Sequence, residues 1–193
     1  KNMKYIHYLY RRTMKTDLSK YDNSWYNPGA GLIKRSLWFA TNILFFKTGW
    51  AWPSAVKRAI LRLSGAKIGK QVVIKPSVNI KYAWNLNVGD HAWIGEQAWI
   101  DNLGSVSIGA HACLSQGALL LCGNHDYKSE TFDLIVKDIT LEAGVWIGAK
   151  AIVVPGTIAR SHAVITAGSV AGGELKAYSI YRGNPAVEVK GRE

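Results

Sequence analysis

From Ile68 onward the chain repeats every six residues. Ile68, Ile74 and Ile80 are six apart, as are Val88, Ile94 and Ile100, then Ile108, Leu114 and Leu120, and finally Leu141, Ile147, Val153, Ala159 and Ile165. Only Ala159 departs from Ile, Leu or Val, which together make up about a quarter of the chain, so chance is a poor explanation. The residue after the aliphatic is often glycine (Gly69, Gly89, Gly95, Gly109, Gly148), and the fifth of each hexad is often small (Ala92, Ala98, Ala112, Ala118, Ala151, Ala163, Ser169). An amphipathic helix needs a period near 3.6, which this stretch lacks. A short strand and a turn in every hexad satisfy it, with the aliphatic and the small residue both facing inward. Three hexads then close a triangular coil, and the glycine is expected to ease its corner. Two-residue additions at Leu86 to Val88 and Val106 to Ile108, placed at corners, leave 20 residues in each of those coils. The predicted fold is mainly β: a parallel β-helix over residues 67–193, including a C-terminal tail, behind an α-helical extension over residues 1–66.

With 193 residues, one core suffices. No run of about 20 uncharged apolar residues offers a spanning helix. The opening "KNMKYIHYLYRR" lacks the apolar core and cleavage site of an export signal, so a cytoplasmic protein is expected. Cys113 and Cys122 lie in apolar runs and read as reduced packing residues. The net charge of +11 sits at the front: residues 1–70 hold 14 Lys and Arg against Asp17 and Asp22, and the remainder holds 10 against 11 acidic residues. Two helices are expected there, over 31–46 and 53–65. In the second, Val56, Ile60, Leu61 and Leu63 form an apolar face opposite Lys57, Arg58 and Arg62. One reading makes these helices a cover for the open end of the β-helix. Another brings their charge and aromatic residues to an anionic membrane surface, peripheral to the inner membrane. No motif supports nucleic-acid binding.

The outward positions just before the aliphatics place Val73, Trp93, Cys113, Trp146 and Val164 on a common face, an apolar column that needs a partner to cover it. His91, His111 and His162 share one phase of the repeat, which suggests solvated corners. His125 does not share it. It lies in "GNHDYKSETFDLIVKD", a long polar excursion from a tight solenoid, and such loops usually carry function.

The segments "IGKQVVIKPSVNI", "VGDHAWIGEQAWI" and "VWIGAKAIVVPGTIARSHAVITAGSV", followed by "YSIYRGNPA", resemble the hexapeptide-repeat acyltransferases. The resemblance covers about residues 65–190. "DLSKYDNSWY" and "LRLSGAKIG" narrow it to the branch containing the colanic acid biosynthesis acetyltransferases, related to the maltose and galactoside O-acetyltransferases. It implies a left-handed parallel β-helix, a homotrimer, and acetyl-CoA bound in the groove between subunits, with no metal. By the same resemblance His125 is the catalytic base for acetyl transfer to a saccharide hydroxyl on a polysaccharide or lipid-linked precursor. An imidazole titrating near neutrality can take the hydroxyl proton and return it to the departing thiolate, with backbone N–H donors serving the oxyanion.

Trp146 then stands beside the thioester, Ala149 and Ala167 leave room for pantetheine, and Lys190 lies near the nucleotide phosphates. Asn124 and Asp126 are candidates to orient the imidazole. Gly95 replaces the asparagine with which galactoside relatives bind sugar, leaving Asp101 and Asn102 as substitutes, with a corner role as the alternative. Two rival readings share the fold: a noncatalytic scaffold, and a carbonic anhydrase-like enzyme, which would need three zinc-binding histidines.

Overall fold

A computed structural model describes residues 15–193. They pack as two units: the described residues up to Asn27 with Asn124–Ile135, and Pro28–Gly123 with Val136–Glu193. The larger is the solenoid, a left-handed β-helix with three parallel faces. The first face runs from Lys67–Ile68 through Leu86–Val88, Val106–Ile108, Ile139–Leu141 and Ile158–Ala159 to Glu174–Leu175. The second runs from Val73–Ile74 through Trp93–Ile94, Cys113–Leu114, Trp146–Ile147 and Val164–Ile165 to Ser179–Gly183. The third comprises Asn79–Ile80, Trp99–Asp101, Leu119–Leu121, Ile152–Val153 and Val170–Ala171. Ile68, Val88, Ile108, Leu141, Ala159 and Leu175 lie directly over one another. Each is buried, as are the alanines two positions before the aliphatics.

The corners are built differently from the sequence expectation. Backbone strain falls three residues after the aliphatic, where Gln71, Ser77, His91, Gln97, His111, Lys150, His162 and Tyr178 adopt positive φ. The glycine directly after the aliphatic is needed for another reason, which is space. A Cβ on Gly109 would stand 2.5 Å from Ala143 N and one on Gly148 would stand 2.5 Å from Ala167 N, so neighbouring coils could not pair. The shared phase of His91, His111 and His162 is this left-handed corner. His91 and His111 stack at 5.1 Å on the surface, whereas His162 is half-buried against Tyr178, with ring centroids 4.7 Å apart.

The added corner residues are held by Asn102. It is fully buried, its Oδ1 accepting from Tyr82 N at 3.0 Å and its Nδ2 donating to Tyr82 O, which ties one coil to the one before. Both cysteines are free thiols, and burial pushes that of Cys122 up to about 12.

The expected boundary at 66/67 does not separate packing units. Helix α1, Leu32–Asn42, continues into a wider turn over Ile43–Lys47, and α2 spans Ser54–Leu63. Trp38, Phe46 and Leu61 from this region join the solenoid's own core. Lys57 of the basic stripe is buried along with Leu61, whereas Leu63 of the expected apolar face is 89% exposed. The open edge of the first coil explains the departure, because its carbonyls require donors. Lys57 Nζ donates to Lys75 O at 2.8 Å, Arg58 to Val72 O at 2.8 Å, and Arg62 to Ile68 O and Gly69 O. Trp38 Nε1 donates to Ile80 O at 3.0 Å. Lys57 is 0% exposed, and burial lowers its pKa below the ordinary lysine value. Lys57, Arg58 and Arg62 of α2 thus cap carbonyls of the first coil. Among the described residues no helix is long and apolar enough to cross a membrane.

Space and strain make separable predictions. Gly109→Ala should destabilise by about 1–3 kcal/mol through overpacking. Gly168, at φ +69 with open space where a Cβ would stand, should accept Asn at a cost of about 1 kcal/mol or less. Melting temperatures of the two variants check this; equal losses would refute the spatial role.

Candidate active site

His125 belongs to the smaller unit. The strand Gly123–His125 pairs with Leu134–Val136, and the turn between them is braced by its own side chains. Thr131 Oγ1 and Ser129 Oγ donate to the two carboxylate oxygens of Asp133 at 2.6 and 2.9 Å. These hydroxyls hold Asp133 below its usual pKa, so the brace is complete above the ordinary carboxylate range and is lost as pH falls through the depressed value.

The brace positions Phe132, whose φ of 53° is unusual for so bulky a residue. Its ring stacks on the imidazole of His125, with centroids 4.4 Å apart and planes 5° from parallel. Its carbonyl oxygen lies 2.9 Å from His125 Nδ1. A carbonyl only accepts, so Nδ1 carries the proton and Nε2 is the basic nitrogen.

The segment before the helices joins the same unit. Asp17 N donates to Glu130 O at 2.8 Å, Lys20 pairs with Glu130, and the Tyr21 ring stands 5.6 Å from that of His125.

Neither neighbour of His125 orients its ring. Asn124 Oδ1 accepts from the His125 backbone N–H, and Asp126 Oδ1 accepts from Lys128 N in a local turn. Phe132 takes the role expected of them, and only the turn-forming composition of "SETFD" hinted at it.

On the solenoid, three of the four expected cofactor residues share one edge, where the second face turns into the third. Trp146 is 47% exposed, and its Nε1 donates to Ser115 Oγ at 2.9 Å. Ala149 and Ala167 occupy the following corner in successive coils, linked by Gly168 N donating to Ala149 O at 2.9 Å. Lys190 is set apart on the closing strand Ala186–Gly191, opposite Ile180 and exposed.

Of the acceptor candidates, Asn102 is committed to Tyr82 and has a structural role. Asp101 pairs with Lys81 at 3.4 Å and lines a cleft. Among the described residues no three His, Cys, Asp or Glu side chains come together as a metal site.

No family model matches the sequence. The chain is 39% identical over 168 residues to a protein of Escherichia coli K12 named as a colanic acid biosynthesis acetyltransferase, WcaF, covering 85% of this chain and 90% of the relative. The chain belongs to the hexapeptide-repeat acetyltransferases.

Its fold matches a hexapeptide-repeat acetyltransferase of Vibrio cholerae, with TM-score 0.76 at 19% identity over 86% of this chain and 95% of the other. That protein was also solved with acetyl coenzyme A. A galactoside acetyltransferase in complex with coenzyme A matches with TM-score 0.72 at 22% identity over 83% and 82% of the two chains.

The geometry around His125 yields a test. Phe132→Gly keeps the left-handed φ accessible but removes the stacked ring. Turnover should fall by about tenfold through looser imidazole positioning, with coenzyme A affinity and melting temperature little changed. Unaltered turnover would show the stack to be incidental.

Proposed function

We propose that this acetyltransferase transfers the acetyl group of acetyl-CoA directly to a hydroxyl of a saccharide, with His125 as the base. The observation that carries the proposal is the Phe132 carbonyl at Nδ1, which fixes the tautomer that a base at Nε2 requires. Acetyl-CoA supplies the thioester and a thiolate leaving group. His125 Nε2 takes the acceptor hydroxyl proton as the oxygen attacks, and the resulting imidazolium, held by Nδ1–H donating to Phe132, returns it to the thiolate. No covalent enzyme intermediate is needed. Trp146, Ala149 and Ala167 hold pantetheine along the solenoid edge, and Lys190 attends the nucleotide phosphates. The acceptor class is supported by the name of the Escherichia coli relative and by the saccharide substrate in the name of the galactoside enzyme.

We further propose a homotrimer, in which the outward residues of the second face meet a neighbouring copy. Val73, Trp93, Cys113, Trp146 and Val164 are in register along it, and Trp93 and Trp146 are exposed. Val164 is already buried within one chain, so the column open to a partner ends at Trp146. The first face instead presents Lys67, Asn87, Ser107, Thr140, Ile158 and Glu174 outward, a row that is polar except at Ile158.

His125→Ala should leave folding and coenzyme A affinity nearly intact while reducing acetyl transfer by about 10²–10⁴-fold. Transfer to a sugar panel, followed by thiol release, measures this, and retained turnover would remove His125 from the mechanism. Sedimentation equilibrium should show three times the 21.3 kDa chain mass. A stable monomer at micromolar concentration would refute the second face as an interface.

A further inference from the structure

We infer that a cleft of about 500 Å³ between α1 and the third face binds an acidic saccharide unit, a pyranose bearing a carboxylate or a phosphate. Among the described residues only three buried side-chain polar atoms lack a hydrogen-bond partner, and two of them, Arg35 Nε and Asp101 Oδ1, belong to residues lining this cleft. Leaving such a group unpaired costs about 1–3 kcal/mol. Lys81 Nζ, 3.4 Å from Asp101 Oδ1, supplies charge at a distance too long for a good hydrogen bond.

The two atoms without a hydrogen bond specify complementary chemistry. Arg35 Nε–H needs an acceptor and Asp101 Oδ1 needs a donor, so the ligand must present both. Arg35, Lys47 and Lys81 against Asp101 leave the lining with two excess positive charges, which selects an anion as the acceptor. The donor facing a carboxylate is then a hydroxyl. Phe39 and Trp99 also line the cleft, and Trp99 is 45% exposed on the third face; such rings suit the C–H face of a pyranose. An aliphatic ligand would leave both polar atoms unpaired. A simple dianion would satisfy Arg35 and be repelled by Asp101.

This extends the saccharide reading above by naming the sugar's charge and a place where it is held. Binding measured without acetyl-CoA separates the two ideas, since a protein inactive in transfer can still bind here. The experiment is saturation-transfer NMR on the full chain with methyl β-glucuronide, glucose 1-phosphate, methyl β-glucoside and inorganic phosphate. At least one acidic sugar should bind saturably and at least about tenfold more tightly than the neutral glucoside, and which one binds identifies the anion. Arg35→Gln and Trp99→Leu should each weaken it about tenfold, while an unchanged coenzyme A titration shows that the fold is intact. The inference is overturned if no acidic sugar binds, if the glucoside binds equally well, if inorganic phosphate competes as strongly as the sugars, or if Arg35→Gln has no effect.

Discussion

The backbone ladder between successive coils is the constraint on which everything else in the solenoid depends. Parallel strands of two or three residues have little stability alone. Stacked in register they share one aliphatic column, and each coil is held chiefly by its neighbours. Close stacking excludes a Cβ at Gly109 and Gly148, forces left-handed corners, and makes a buried amide such as Asn102 useful for joining coils. The same ladder leaves bare carbonyls at its first coil, which the helices satisfy with Lys57, Arg58, Arg62 and Trp38.

Much of this was legible in the sequence because the repeat is a property of single positions. Inward and outward residues follow from phase alone, and so do the exposed indoles of Trp93 and Trp146. The roles of charged residues were not legible, because they depend on which backbone groups lack partners. A lysine opposite an apolar stripe normally faces water; Lys57 faces inward because Lys75 O would otherwise be buried bare. Reading the glycines as strain relief failed for a related reason. The strained position is three residues after the aliphatic, where Gln, His and Lys serve, and the glycine answers to a backbone distant in sequence.

The site was legible in the same uneven way. A histidine in a long polar break from a regular repeat is conspicuous, and the ring of His125 is held by the carbonyl and ring of Phe132. What orients it is a main-chain carbonyl, a group that every residue possesses, so no side-chain pattern could single out Phe132. Asp126, the acidic neighbour that seemed suited to the task, is occupied by a turn. Asp101 and Asn102 show how adjacent residues part company at the end of a strand: one joins a cleft and the other is absorbed into the coil.

The capped first coil has a further consequence for how such a chain behaves in company. A parallel ladder with an open end is a template, and identical ladders can add to one another end to end without limit. Here guanidinium, ammonium and indole groups occupy the template's acceptors at the start, and at the finish the chain folds Ala186–Gly191 antiparallel against Ser179–Gly183. End-to-end addition is thereby obstructed at the first coil and along the second face of the last, which favours lateral association through the faces over a fibre.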